Sequence, residues 1–198
     1  KSLNCYDNIF FIKILSVTLM ADKYFIEKGR PEDIRCESEE STYNFLEKNN
    51  IEFLRVDHEE TKTIEECHKI ENILEAEICK NLFLQNSAKT SYYLLLMPGE
   101  KRFVSKEVSK KLLSTRLSFA PDDKLYEFLK IEPGSVSIMG LIHDKGNNVN
   151  LVIDSELLKK PYFCCHPCKN TSTLKLSTND IINKFISATC HQYTVIDI

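Results

Sequence analysis

The chain has 198 residues, of which 42% are hydrophobic and 28% charged, and its formal net charge is −3 at pH 7. This composition is that of a globular protein and excludes a chain that is disordered or membrane-embedded as a whole. A chain of this length buries about 70% of the surface that its unfolded form exposes, so it needs no disulfide framework to fold. The slightly negative charge also excludes a general nucleic-acid binder covered with basic residues.

The N-terminal part differs from the rest of the chain. Residues 9–20 (IFFIKILSVTLM) are the candidate targeting segment, but a membrane-spanning helix takes about 20 apolar residues and Lys13 interrupts this run. No small-residue cleavage site of a signal peptide follows it. Residues 27–40 are charged and contain a glycine and a proline, which predicts a linker. We therefore expect an extension or linker over residues 1–37, either without fixed structure or partly ordered, and one compact domain over residues 38–198.

Apolar periodicity then predicts the elements of the compact domain in chain order. A short amphipathic helix is expected at 42–48, and a strand at 53–56. Thr63 and Glu66 have the spacing of a capping box, which predicts a second helix that ends near Leu74. The remaining predictions are strands at 81–84, 92–97, 136–142, 149–153, 162–165 and 193–196, and helices at 105–113, 121–129 and 178–188, the last capped by Ser177.

The order of these elements predicts the fold class. Helices and strands are interspersed, which is typical of an α/β or α+β protein. Residues 144–148 (DKGNN) have the composition of a hairpin turn, and hairpins require antiparallel strands. The expected fold is therefore a mixed, largely antiparallel, curved sheet surrounded by helices.

Eight cysteines are spread through otherwise periodic segments, which favours reduced thiols that pack as small hydrophobic side chains. The run at residues 164–168 (CCHPC) has some likeness to a metal cluster. Zinc ligands normally come as two spaced pairs, however, and adjacent cysteines on a strand point to opposite faces. We therefore expect neither a metal nor another cofactor, and the alternative of a zinc or redox protein would be decided by metal analysis.

Four polar residues lie at the ends of three apolar strands. Lys80 and Asn81 precede one strand, Asp154 ends another, and His166 follows a third. Each has a structural alternative, since such a lysine often extends along apolar surface to reach water, such an acid often caps a turn, and a lone histidine is often structural.

Seven short segments place these residues in a pattern. They are KNLFL at 80–84, YYLL at 92–95, RLSFA at 116–120, EPGSVS at 132–137, GLI at 140–142, ID at 153–154 and HPxxNTxTL at 166–174. In this order they resemble the YbaK/ProX superfamily of prolyl-tRNA-editing domains, most closely its ProX-type alanyl-tRNA(Pro) deacylase branch. Two positions depart from the family pattern, since Ile138 stands where members often have proline and His143 where asparagine is usual.

The resemblance implies a cytoplasmic hydrolase whose substrate is the acceptor end of tRNA(Pro) carrying a wrong amino acid, alanine rather than cysteine or serine. It implies catalytic roles for Lys80, as a cation near the terminal phosphate or the developing charge, and for His166, which orients the aminoacyl group. Substrate contacts are implied for a further set, comprising Asn81, Gly134, Ser135, Gly140, Asp154 and Asn170. Which group accepts a proton from water is left open.

Two further questions stay open in the sequence. The chain is either a freestanding protein or a domain of a prolyl-tRNA synthetase, which would be its partner in trans or in cis, and a binding module without turnover is the remaining alternative. Basic residues around one helix form the candidate tRNA footprint, with a solvated helix face as the alternative. They are Lys101, Arg102, Lys106, Lys110 and Lys111.

Overall fold

The computed structural model describes residues 24–60 and 63–198. The candidate targeting segment at residues 9–20 lies outside the described residues. The strands are β1 (Ile26–Lys28), β2 (Phe53–Asp57), β3 (Lys80–Asn86), β4 (Tyr92–Met97), β5 (Leu117–Phe119), β6 (Val149–Asp154), β7 (Tyr162–Cys165), β8 (Ser172–Ser177) and β9 (Tyr193–Ile196). The helices are α1 (Glu37–Lys48), α2 (Ile64–Leu74), α3 (Ser105–Lys111), α4 (Asp122–Leu129), α5 (Thr178–Asp180) and α6 (Ile186–Ala188), the last two joined by a π-helical stretch, Ile181–Phe185.

The strands form two sheets. The first has the order β1-β2-β8-β7 and is antiparallel throughout. The second has the order β5-β3-β4-β6-β9, in which the first three strands are antiparallel and β4, β6 and β9 run parallel. The predicted mixed, largely antiparallel α/β fold is confirmed, with its strands divided between two sheets. Within the described residues, no helix has both the length and the apolar character needed to cross a membrane.

The main core draws apolar side chains from both sheets, and a smaller cluster lies on the other face of the five-stranded sheet. Along β3, Phe83 belongs to the main core and Leu84 to the smaller cluster, because successive side chains of a strand point to opposite faces. Val108 of α3 packs in the smaller cluster and so covers that face. The same alternation places Lys80 and Asn81 on opposite faces of β3.

The start of the compact domain differs from the sequence prediction. Residues 27–40 are not a simple linker, because β1 pairs with β2 and α1 begins at Glu37. Charges of this segment are paired: Glu27 forms an ion pair with Arg55 of β2, which is only 2% exposed, and Arg30 forms one with Glu40. The division of the chain at residue 38 stays a prediction.

The strand predicted at 136–142 is wrong, since Ile138–Ile142 forms a 3-10 helix. Side chains, and not a neighbouring strand, accept the hydrogen bonds of two backbone amides here. Asn81 Oδ1 accepts from Ile138 N at 2.9 Å, and Ser137 Oγ accepts from Met139 N at 3.2 Å. No hairpin follows, because β6 pairs in parallel with β4 and β9. Asp144 instead closes the turn before β6 by accepting from Val149 N at 2.8 Å.

Other predicted elements agree with the structure. Thr63 and Glu66 form the capping box in both directions, and Ser177 accepts from Asp180 N at the start of the last helical segment. Three strands were not predicted, namely the short strands β1 and β5 and the central strand β8. β8 begins with Ser172 and Thr173, whose polar side chains hide its strand pattern although both are buried.

Gly140 tests the packing of the 3-10 helix. A Cβ added there would lie 2.6 Å from Ile131 Cδ1 and 2.9 Å from Leu129 Cβ, so neighbouring core atoms would have to shift. We expect Gly140→Ala to lower the free energy of unfolding by about 1–3 kcal/mol, as overpacking does. Gly146→Ala is the control, since Gly146 is exposed and its closest neighbour is the end of the exposed Asn148 side chain and not core atoms. Denaturant melts of both variants check this, and equal stability of the Gly140 variant and the wild type would contradict it.

Candidate active site

The site is built around the loop at residues 133–138, which three hydrogen bonds fasten at its sides. Asn81 Oδ1 of β3 accepts from Ile138 N at 2.9 Å. Ser137 Oγ donates to the carbonyl of His166, and Ser135 Oγ accepts from Asn170 N at 3.1 Å. The loop therefore joins β3 of one sheet to the segment that follows β7 of the other.

The two glycines of the predicted site serve different backbone needs. Gly134 has a φ of +85° in the exposed turn that opens the loop, a conformation that glycine adopts without strain. Gly140 is buried in the 3-10 helix, where the position of a side chain is filled by Leu129 and Ile131. Their predicted approach to substrate through the backbone remains a prediction.

A parallel bridge between the sheets lies two residues before each of the two predicted catalytic residues. Ile78 pairs in parallel with Cys164, and Cys79 N donates to Cys164 O at 3.0 Å. Lys80 lies two residues after Ile78, and His166 lies two residues after Cys164. Lys80 and His166 are 86 positions apart in the sequence, yet each closely follows the same short bridge between the two sheets.

Lys80 is exposed and begins a chain of polar contacts. Its Nζ donates to the carbonyl of Lys101 at 2.9 Å. Lys101 Nζ in turn lies 2.8 Å from Asp154 Oδ2 and 3.3 Å from Glu156 Oε2. Asp154 is completely buried, so this ion pair compensates a carboxylate that has lost its water. The structure thus connects Lys80 to Asp154 through Lys101.

This ion pair separates Lys101 from the rest of the predicted tRNA footprint. Its ammonium is already bound by two carboxylates, whereas the other members are exposed on or next to α3. Those members are Arg102, Lys106, Lys110 and Lys111. Their role toward tRNA remains a prediction.

His166 is held in one tautomer. Its Nδ1 lies 2.9 Å from the carbonyl oxygen of Ser172, which can only accept, so Nδ1 carries the proton and Nε2 is the acceptor. Burial lowers the pKa of His166 to about 4, although the bond to Ser172 opposes this change. At neutral pH the ring is therefore an uncharged hydrogen-bond acceptor at Nε2.

Sequence reasoning missed a second histidine in this region. The ring of His58 lies 6.0 Å from that of His166, centre to centre, and its side chain is 9% exposed. His58 directly follows β2, just as His166 directly follows β7. The strand-end pattern that singled out His166 could therefore have found His58.

The buried cysteines fit packing rather than chemistry. Burial raises the pKa of the thiols of Cys79 and Cys168 to about 12, so both are neutral and poor nucleophiles at neutral pH. Burial also raises the pKa of Cys165 well above its usual value. Within residues 24–60 and 63–198, no three histidine, cysteine or acidic side chains are grouped so that they could hold a metal ion. The site thus offers a cation at Lys80 and an acceptor at His166.

A family model for the aminoacyl-tRNA editing domain matches residues 58–184. The chain belongs to the aminoacyl-tRNA editing domain family. This editing domain is 31% identical over 153 residues to the prolyl-tRNA editing protein ProX of Acetoanaerobium sticklandii, a match that covers 77% of this chain and 93% of that protein. It is also 31% identical over 163 residues to prolyl-tRNA synthetase associated domain-containing protein 1 of Danio rerio, covering 81% and 85% of the two chains.

Solved structures agree on the fold. The crystal structure of a protein assigned provisionally as a trans-editing enzyme for prolyl tRNA synthetase has a TM-score of 0.62, with 17% identity over 83% of this chain and 98% of that chain. A hypothetical protein of known crystal structure matches equally well, with a TM-score of 0.62 and 20% identity over 79% of this chain and 97% of that one.

The family match confirms the predicted resemblance and the enzyme class: the editing domain is an aminoacyl-tRNA hydrolase. The matched range begins at His58 and contains Lys80, Asp154 and His166. The individual roles of these side chains remain predictions.

The environment of His166 predicts an unusual titration. We expect its ring to titrate near pH 4, because burial disfavours the charged form. His68 on α2 is the internal control, since its hydrogen bond to Glu71 raises its pKa above 6.5. An NMR titration of ring signals measures both. The lowered value also means that His166 contributes stability above about pH 6.5 that is lost as the pH falls toward 4. A His166 pKa near 6.5 would contradict this environment.

Proposed function

We propose that this editing domain hydrolyses the ester bond of tRNA(Pro) charged with a wrong amino acid, and that alanine is the preferred one. The observation that supports the proposal is the bridge between Ile78 and Cys164, which lie two residues before Lys80 and His166. The names of the relatives, which refer to prolyl-tRNA editing and to prolyl-tRNA synthetase, support tRNA(Pro) as the substrate.

The reaction requires few specialised groups. Water attacks the carbonyl carbon of the aminoacyl ester, the bond to the terminal ribose oxygen breaks, and that oxygen leaves with a proton. An ester of this kind is already activated, so positioning of the reactants and stabilisation of the developing negative charge suffice. A covalent nucleophile is not needed, in keeping with the raised pKa values of the buried thiols.

Lys80 and His166 divide this work. The ammonium of Lys80 is a compact charge on a flexible stem, suited to the terminal phosphate or to the developing oxyanion. Its hydrogen bond to a neutral carbonyl, that of Lys101, leaves its charge uncompensated by that contact. His166 Nε2, an acceptor at neutral pH, suits the ammonium group of the aminoacyl moiety, which is a donor.

The remaining predicted residues support these two. Asn81 ties the 133–138 loop to β3, and the backbone amide of Asn170, which donates to Ser135 Oγ, ties the loop to the segment that carries His166. Asp154 anchors Lys101, whose carbonyl positions Lys80. The exposed basic residues of α3, with Arg102, supply a few phosphate contacts, in agreement with the net charge of −3. Prolyl-tRNA synthetase is a partner either in trans or in cis.

Discrimination by size follows from the proposal. A small pocket rejects a larger ring by steric clash, whereas a large pocket distinguishes substrates by only about 1–3 kcal/mol per methylene. We expect alanine to be released from tRNA(Pro) and proline to be retained, with cysteine and serine as comparison substrates. Deacylation rates on tRNA(Pro) charged separately with each amino acid measure this. Similar rates on alanine and proline would show that the pocket does not select by size.

Replacement of Lys80 tests the site itself. We expect Lys80→Ala to lose about 10²–10³ in deacylation rate, as typically follows removal of one charge-stabilising donor. The side chain is exposed, so the melt should change by no more than about 0.5 kcal/mol. Lys80→Arg should restore activity only in part, because the planar guanidinium differs from an ammonium. Lys48→Ala, at an exposed position at the end of α1, is the control. An unchanged rate for Lys80→Ala would refute its role.

A further inference from the structure

We propose that His58 is a positioning residue, which holds the ring of His166 in the orientation that makes Nε2 the acceptor for substrate. The inference rests on the proposed role of His166 in deacylation. It arises from the contacts of the two rings and from the strand that holds both of them.

His58 is itself held in a single tautomer. Its Nδ1 lies 2.7 Å from the carbonyl oxygen of Glu59, so Nδ1 carries the proton. Its Nε2, 2.8 Å from Thr173 Oγ1, must then accept from the threonine hydroxyl. Both nitrogens are therefore used within the protein. His58 cannot serve as an acceptor for substrate in this arrangement, and it acts through its neighbour.

Three consecutive residues connect the two histidines. His58 N donates to Thr171 O at 3.0 Å, Ser172 O accepts from His166 Nδ1 at 2.9 Å, and Thr173 Oγ1 donates to His58 Nε2. Since Ser172 and Thr173 begin β8, which is paired with β2, the strand pairing fixes the distance between the two rings. A displacement of His58 from Thr173 is thereby transmitted to the carbonyl that orients His166.

The rings also contact each other, with their planes inclined at 59° and their centres 6.0 Å apart. His58 therefore occupies space beside the ring of His166 that would otherwise admit water or a rotated imidazole. Burial lowers the pKa of His58, and the acidic groups near it are Asp57 of β2 and Glu66 of α2, which act in the opposite direction. A neutral His58 keeps its acceptor toward Thr173 and adds no positive charge beside His166.

Two pairs of variants test the proposal. His58→Phe keeps an aromatic ring but removes both nitrogens, and Thr173→Val removes only the hydroxyl that donates to His58. We expect each to lower kcat on Ala-tRNA(Pro) by about 10- to 100-fold, the effect of a misplaced catalytic group. Thr173→Ser, which keeps the hydroxyl, should stay close to the wild type. His68→Phe is the matched control, because His68 lies exposed on α2.

Ring NMR of His166 is the second readout, and a merely structural role would not change it. We expect His166 to show mixed tautomers in His58→Phe and Thr173→Val, where the wild type carries its proton on Nδ1 alone. Thr173→Ser and His68→Phe should keep the wild-type spectrum of His166. If His58→Phe does not fold, the comparison of Thr173→Val with Thr173→Ser tests the role of His58.

The outcomes separate the two proposals. An unchanged tautomer of His166 in the folded variants would overturn the role of His58, whatever the activity. Wild-type protein inactive on every misacylated tRNA(Pro) would overturn the proposed function, while the NMR result would still decide whether His58 orients His166.

Discussion

The fold depends on how the 133–138 loop is fastened between the two sheets. Asn81, Ser135 and Ser137 each satisfy a backbone group that would otherwise lose its hydrogen-bond partner in a buried or half-buried place. An unmade hydrogen bond of this kind costs about 1–3 kcal/mol, more than the bond itself contributes on average. The loop therefore has one stable position. Because it holds the segment after β7, the position of His166 follows from it.

This arrangement explains a departure from the family pattern. Proline, which members often have at the position of Ile138, fixes φ but lacks an amide hydrogen. Ile138 has that hydrogen and donates it to Asn81 Oδ1, 57 positions away in the sequence. A tertiary hydrogen bond therefore provides the rigidity that a proline ring would provide locally. The isoleucine side chain is completely buried, so the replacement also adds apolar contact to the core.

The sequence predicted what local chemistry determines. The capping box of Thr63 and Glu66 and the proline before α4 set helix starts, and a continuous apolar run located β4. The 3-10 helix was taken for a strand because a short apolar run has no distinguishing period. Its conformation depends on Asn81, which no local pattern reveals.

In the candidate site, too, the sequence predicted some features and not others. Lys80 and His166 could be named because each lies at the end of an apolar strand within a recognisable segment. The contacts that orient these two side chains could not be predicted. They are made with the carbonyls of Lys101 and Ser172, and every residue type has a backbone carbonyl. His58 has a visible pattern, but its meaning depends on the pairing of β2 with β8, and β8 was not predicted.

The short strand β1 has a consequence for the solubility of the protein. It forms the outer edge of the four-stranded sheet, where it occupies the open backbone groups of β2, and Arg55 secures it through Glu27. Unpaired strand edges invite the strands of other molecules, and short, charged edge strands discourage this. A chain shortened to residue 38 would present β2, with its apolar Phe53 and Val56, as the new edge. Intermolecular strand pairing, and with it aggregation, would then compete with folding even though the predicted catalytic residues were all present.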